Sequence, residues 1–229
     1  MKTIGLIGGM SWESTSTYYQ EINTLVNNEL GGFHSAKIIL ASVDFNEIEE
    51  CQSRNDWHTS GEILGEQATI LEKAGADIIL ICTNTMHKVF DQVQSYVSVP
   101  LLHIADATIN ELKLNNVNKV GLLGTKYTLK DEFYKERLEN SDIKVLITNE
   151  QDIETVNNVI FNELVHGTIK AESKKKYLNI IEKLRENGAQ AIILGCTEIG
   201  LLINQKDSIL PIFDTTLIHA KSAVYKSLT

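Results

Sequence analysis

Short, continuously apolar runs alternate along the chain with longer stretches in which apolar residues recur every three or four positions. The runs near residues 3–7, 78–81 and 191–194 are continuously apolar after Thr3, the pattern of strands buried on both faces. Residues 13–30 and 126–140 follow the first run of each half and read as amphipathic helices. A second run comes next in each half, Ile38-Ile39-Leu40 or Ile143-Lys144-Val145-Leu146-Ile147, and then helical stretches over 58–74 and 171–187. Gly31, Gly75 and Gly188 stand where helices need a C-terminal cap. Pro100 and Pro211 each open a short strand, after which 104–116 and 214–228 read as helices. Strands alternating with helices predict an α/β fold with parallel sheets and right-handed crossovers.

The chain also repeats itself. Ile4-Gly5-Leu6-Ile7-Gly8 is echoed by Val120-Gly121-Leu122-Leu123-Gly124, and the segment from Leu71 to Thr83 by Leu184 to Thr197. The only two prolines match as well, Val99-Pro100-Leu101-Leu102 against Leu210-Pro211-Ile212-Phe213. The offsets are 116 (Ile4 to Val120), 114 (Cys82 to Cys196) and 111 (Pro100 to Pro211), always in the same order. This predicts two homologous lobes, each with a parallel sheet, related by a pseudo-twofold axis, residues 1–103 with 214–229 and residues 104–213. The active site is expected in the cleft between them.

Composition narrows the class. The net charge of -9 argues against nucleic acid or an acidic membrane surface as partner, since phosphates are repelled. No run approaches the ~18 apolar residues of a spanning helix, and the apolar stretch at the N-terminus is too short for a signal peptide, so a cytoplasmic protein is expected. Three cysteines with no Cys-x-x-Cys and no His/Cys cluster read neither as a disulfide framework nor as a zinc site. Gly5-x-x-Gly8-Gly9 lacks the GxGxxG spacing of a dinucleotide loop. No metal and no cofactor are expected.

Two of the cysteines carry the candidate chemistry. Cys82 and Cys196 each end an apolar run, at the carboxyl edge where open parallel sheets bind ligands. Thr83-Asn84-Thr85 and Thr197-Glu198 follow, offering capping side chains and free N–H groups at a helix opening, where a thiol pKa is expected to fall. A lone buried cysteine is ordinarily a small core residue. Two at matching points of a repeat, each followed by Thr, point instead to a paired acid and base, one on each face of a substrate carbon. Cys51 has no counterpart in the second half and reads as packing or surface. His87 and His103 fit a structural role better than proton transfer, Lys174-Lys175-Lys176 an exposed face, and Trp12 and Tyr18-Tyr19 the core or a lobe interface.

The motifs Gly8-Gly9-Met10-Ser11-Trp12-Glu13-Ser14, Cys82-Thr83-Asn84-Thr85-Met86-His87, His166-Gly167-Thr168-Ile169-Lys170 and Gly195-Cys196-Thr197-Glu198-Ile199 span nearly the whole chain. With them the sequence resembles the aspartate/glutamate racemase family, in particular its broad-specificity amino-acid racemase branch. The resemblance implies PLP-independent racemisation of a small amino acid, two Rossmann-like lobes, Cys82 and Cys196 as acid/base thiols, and a homodimer. It implies substrate contacts from Met10, Ser11, Thr83, Asn84, Thr85, Thr197 and Glu198, and a distal carboxylate read by Lys170, with Gln52 or Arg54 in the region where some members carry an arginine. Met10-Ser11 stands where cell-wall glutamate racemases carry Asp-Ser, which weighs against that role. Maleate isomerase and hydantoin racemase are the rival activities. Arylmalonate decarboxylase, which uses one thiol, fits less well. A two-lobed binding protein without chemistry is the alternative of a different class.

Overall fold

The computed structural model describes all 229 residues. Two compact units divide the chain, Met1–Ile104 with Thr216–Thr229, and Ala105–Thr215.

In the first unit the chain runs β1 (Ile4–Gly8), α1 (Trp12–Leu30), β2 (Ile38–Ser42), α2 (Phe45–Ser53), α3 (Trp57–Lys73), β3 (Ile78–Ile81), α4 (Phe90–Gln94), β4 (Leu101–Leu102) and the first residue of α5 (Ile104–Leu114). The four strands form a parallel sheet in the order β2-β1-β3-β4. Its centre is β1 and β3, every residue of which is buried, as their unbroken apolar runs require. One face packs Ile7, Ile79 and Ile81 against Ile48 of α2, Leu64, Ala68 and Leu71 of α3 and Val93 of α4. The other packs Ile4, Leu6, Ile78 and Leu80 against Tyr18, Ile22 and Val26 of α1. This second face also takes Ala220, Ala223 and Val224 of the last helix, α11 (Thr215–Leu228). Tyr18 Oη and His219 Nδ1 lie 2.9 Å apart, and the Lys2 N–H donates to the Ser227 carbonyl, so the C-terminal helix is tied to the first lobe's edge.

Between α5 and α11 the second unit repeats the plan: β5 (Lys119–Gly124), α6 (Lys126–Lys130), α7 (Glu132–Glu139), β6 (Lys144–Leu146), α8 (Glu150–Asn162), α9 (Ala171–Glu186), β7 (Ala191–Gly195), α10 (Ile199–Leu202) and β8 (Ile212–Asp214). Its sheet has the order β6-β5-β7-β8, again parallel throughout. One core joins Leu123, Ile192 and Leu194 to Val156 and Ile160 of α8 and to Tyr177, Ile181 and Leu184 of α9.

Three expectations need correction. The amphipathic stretch 126–140 is two helices, because Asp131 takes an extended backbone (φ -79°, ψ 151°) and breaks the ladder between α6 and α7. Trp12 and Tyr19 are 69% and 55% exposed, whereas Tyr18 is fully buried. Helical phase explains the split: Tyr18, Ile22 and Val26 recur every four residues on the sheet-facing stripe, and Trp12 and Tyr19, seven apart, share the outer face. Helices α2 and α8 add to the expected elements; α8 carries buried Ile153, Val156 and Ile160 at helical spacing.

Candidate functional site

The Cys82 loop begins at a hydrogen bond. The Cys82 N–H donates to the Ile7 carbonyl, so the β1–β3 ladder extends into the loop and fixes where the thiol emerges. Gly8-Gly9-Met10-Ser11 turns beside it from β1 into α1. Gly9 has φ 95°, and a Cβ there would sit 2.2 Å from the Val43 carbonyl oxygen. Ser11 caps α1 by accepting the Ser14 N–H, and the Met10–Ser11 peptide is cis. Cys82, Asn84, Thr85, Met10 and Ser11 are all buried, while Thr83 is half-buried. After the cysteine the chain forms only a five-residue 3-10 turn, Thr85–Val89, in which Asn84 makes no side-chain cap. Gln52, buried on α2, donates to Met86 Sδ at 3.1 Å and so reaches this loop. Arg54 does not join it there; it is exposed and paired with Glu50 at 3.0 Å.

The Cys196 loop has the same origin and a different lining. Thr125 caps α6 from the turn after β5, accepting the Thr128 N–H, in the place Ser11 holds after β1. Asn157 of α8 accepts the Lys126 N–H. Cys196 Sγ donates to Glu198 Oε2 at 2.9 Å, and Thr197 Oγ1 donates to the same oxygen at 3.0 Å. The Glu198 carboxylate is thus turned to the thiol and not used as a helix cap. Tyr177 of α9, fully buried, donates to the Val156 carbonyl. Burial pushes its hydroxyl pKa well up, and the charges of Cys196, Glu163 and Glu198 push it further.

The thiols leave their sheets on opposite faces. The strands align through Ile7↔Ile81 in the first sheet and Leu123↔Leu194 in the second. Cys82 follows Ile81 directly, whereas Gly195, paired with Gly124, stands between Leu194 and Cys196. One added residue reverses the face of the next side chain, because strand side chains alternate. Cys82 therefore packs with Tyr18 on the α1 side of its sheet. Cys196 packs with Tyr177 on the side of α9, the helix homologous to α3. A Cβ at position 195 would lie 2.9 Å from the Leu123 carbonyl oxygen, so the inserted residue has room only for glycine.

Neither thiol has the lowered pKa expected of a helix N-terminus. Burial pushes Cys82 well above the ordinary thiol value. At Cys196 burial raises it too, the Glu198 charge and the hydrogen bond to its carboxylate raise it further, and the Glu198 N–H opposes them weakly. The physical reason is scale. A five-residue 3-10 turn and a four-residue helix align few peptide dipoles, while full burial removes the water that would solvate a thiolate.

Lys170 precedes α9 and is exposed, with its Nζ 3.2 Å from Glu163 Oε1. Glu163 also accepts from Ser173 Oγ at 2.7 Å, and these donors hold its carboxyl below the usual range. Glu163, Ser173 and Tyr177 went unremarked in the sequence, where only the approximate repeat of Lys170 with Ser173 and Tyr177 along α9 hints at a shared end of the helix. Cys51 is half-buried. No three His, Cys, Asp or Glu side chains gather into a metal-holding group, and no helix is long and apolar enough to cross a membrane.

The profile of the Asp/Glu/Hydantoin racemase family matches residues 7–223, which takes in both cysteine loops. The chain belongs to that family. Among solved structures of relatives, a Yersinia pestis protein provisionally described as an Asp/Glu racemase is 51% identical with a TM-score of 0.92, each chain covered completely. An aspartate racemase homologue from Pyrococcus horikoshii OT3 is 37% identical, with a TM-score of 0.88 and again complete coverage of both chains. The broad-specificity amino-acid racemase RacX of Bacillus subtilis is 29% identical over 162 residues, 69% of this chain and 67% of its own. The chain spans about half the length of two curated glutamate racemases that it matches, 55% and 48%. Members of the family thus share with this chain the α/β architecture of two four-stranded parallel sheets.

Proposed function

We propose that the protein is an amino-acid racemase that inverts the α-carbon of aspartate, glutamate or a related amino acid without PLP or metal, using Cys82 and Cys196 as its two proton-transfer groups. The observation that carries this reading is one thiol at the carboxyl end of the same strand in each of two homologous sheets. Inversion needs a base on one face of the α-carbon and an acid on the other, and two thiols at matching strand ends meet that need.

Burial keeps both thiols protonated at rest. A bound amino acid brings an ammonium group, and an opposite charge within a few ångströms favours thiolate. At Cys196 the proton has a destination: Sγ–H transfers to Glu198 Oε2, giving a thiolate and a neutral carboxylic acid. That thiolate takes the substrate α-proton while the Cys82 thiol supplies one to the opposite face. Racemisation in the other direction reverses both transfers. Main-chain and hydroxyl groups of Met10-Ser11, Thr83-Asn84-Thr85 and Thr197 hold the α-carboxylate and ammonium. Lys170 reads a distal carboxylate, and Gln52 lies on the Cys82 side.

The test is loss of optical rotation of L-Asp, L-Glu and a set of neutral L-amino acids, using enzyme dialysed against chelator. Racemisation of at least one supports the reading. Turnover of hydantoins or maleate with none of amino acids replaces it with a sister activity, and unperturbed thiols with ligand binding alone replace it with a binding protein. Homodimeric assembly and a cytoplasmic location belong to the same reading and are checked by sedimentation and fractionation.

A further inference from the structure

Three consecutive side chains at the end of β7 meet on one oxygen. Cys196 Sγ and Thr197 Oγ1 both donate to Glu198 Oε2, at 2.9 and 3.0 Å. All three residues are buried, at 7%, 6% and 3% exposure, so little water competes for that oxygen. A carboxylate oxygen has two lone pairs, and the two donors fill both. The backbone makes the meeting possible: the Ile199 N–H donates to the Cys196 carbonyl at 3.1 Å, which closes residues 196–199 into one turn. The matching stretch after β3 carries no such carboxylate, since Cys82-Thr83 is followed there by Asn84.

From this geometry we infer that Thr197 is a positioning residue for Glu198, its hydroxyl holding Oε2 in place to take the Cys196 proton. A glutamate side chain has three rotatable torsions, and keeping one of its oxygens on a sulfur costs entropy that a second contact offsets. Threonine suits the task because branching at Cβ restricts its χ1. When the proton crosses from Sγ to Oε2, the S–H bond breaks, the O–H bond forms on one lone pair, and the Thr197 O–H stays on the other. The acceptor therefore keeps its place through the transfer. A hydroxyl has a single proton, and this one is committed to Glu198; toward a bound amino acid Thr197 Oγ1 can only accept, as from an ammonium group. The inference rests on the reading of Glu198 as proton acceptor for Cys196 and adds the group that holds it there.

Thr197→Val keeps the branched shape and removes the donor, whereas Thr197→Ser keeps the donor and removes the methyl. With Oε2 less often on Sγ, its part in raising the Cys196 pKa weakens. Site-resolved alkylation with iodoacetamide, at a fixed pH below the thiol pKa, should then run about threefold faster at Cys196 in Thr197→Val, with Cys82 unchanged. Thr197→Ser should follow wild type. The same Thr197→Val change made in Glu198→Gln should move Cys196 alkylation by less than about 1.5-fold, because the charge that Thr197 positions is gone. In racemisation, Thr197→Val should lower kcat ~10-fold with KM within about twofold of wild type, and Thr197→Ser should recover most of the loss. Should thermal melts show Thr197→Val unfolded, Thr197→Ala carries the same test. A raised KM with kcat unchanged makes the hydroxyl a substrate contact and overturns the inference. So does an unmoved Cys196 rate, an equal effect of Val and Ser, or a Thr197→Val effect that persists in full without the Glu198 charge, which marks plain loosening. If the wild-type chain racemises nothing, the alkylation cycle still decides whether Thr197 acts through Glu198, and only the racemase reading fails.

Discussion

The Cys82 and Cys196 loops grow from the same strand of the same sheet order and then diverge by one residue. Up to Ile81 and Leu194 the two halves correspond position by position. Gly195 then sends the second thiol to the opposite face of its sheet, where Tyr177 and the Glu198 carboxylate line it. Cys82 receives no carboxylate hydrogen bond; burial alone raises its pKa. A duplicated scaffold has thus placed two thiols in different electrostatic settings by one added residue. Alternation converts a single inserted residue into a new environment, which a substitution at the cysteine could not do. The comparison suggests one thiol with a built-in proton acceptor and one that depends on substrate charge.

The largest expected effect breaks the symmetry outright. Cys82→Ala and Cys196→Ala should each lower racemisation by ~10³-fold or more, because removal and return of the proton on opposite faces need both groups. Each variant should still wash the α-hydrogen of one enantiomer into D2O without inversion, and the two variants should choose opposite enantiomers. Normal racemisation by either one, followed by polarimetry, would remove the two-thiol mechanism. Cys51→Ala serves as the control and should leave turnover unchanged.

Lys170→Met comes next. Losing a charge-assisted hydrogen bond costs about 1.5–3 kcal/mol, so kcat/KM for aspartate or glutamate should fall ~10- to 150-fold. Neutral substrates should lose far less. Lys170 shares Glu163 with Ser173, so its charge is already partly engaged at rest, and the effect is expected toward the lower end. Equal losses on all substrates would place the reading of the side chain elsewhere.

Much of this comparison is legible in the sequence. The apolar runs ending in Cys82 and Cys196 mark central strands, because a strand covered on both faces has no polar side to show. The repeat of Gly75-Ala76-Asp77 in Gly188-Ala189-Gln190 marks the shared topology. What the residues did not disclose is the thiol chemistry. A helix N-terminus lowers a thiol pKa, but the helices after the cysteines are too short to do so against full burial. Nor did Gly195 stand out as an insertion: its effect lies in ladder register, which depends on partners far along the chain. Tyr18 and His219 meet across 201 positions for the same reason, and nothing local to either announces the pair.

Glu198→Gln sharpens the electrostatic half of the comparison. The carboxylate raises the Cys196 pKa by its charge and by accepting the thiol proton. Removing it should lower that pKa, so the Cys196 alkylation profile moves to lower pH while the Cys82 profile stays in place. At a fixed pH below both thiol pKa values, Cys196 should react about tenfold faster. Racemisation should slow all the same, since the acceptor for the thiol proton is gone. A thiol that ionises more easily in an enzyme that turns over more slowly is the expected signature. Faster turnover would show that Glu198 restrains Cys196 without assisting it.

The smallest effect tests where the halves remain alike. The Asp77 carboxylate accepts the Thr3 N–H at 2.6 Å, and Gln190, its counterpart in the repeat, accepts the Asn118 and Lys119 N–H groups at 3.0 and 3.1 Å. Both side chains staple the start of the third strand to the start of the first in their own sheet. Both are exposed, so water can replace much of what is lost, and each Ala variant should cost only about 0.5–1.5 kcal/mol in urea unfolding. The thiols lie at the far ends of these strands and should alkylate at wild-type rates in both. Matching small losses would show that the two sheets are built alike at their amino ends and diverge only where the chemistry sits. A loss several times larger at Gln190 would instead mean that the second sheet depends on its staple more than the first, and that the asymmetry runs the length of the strands.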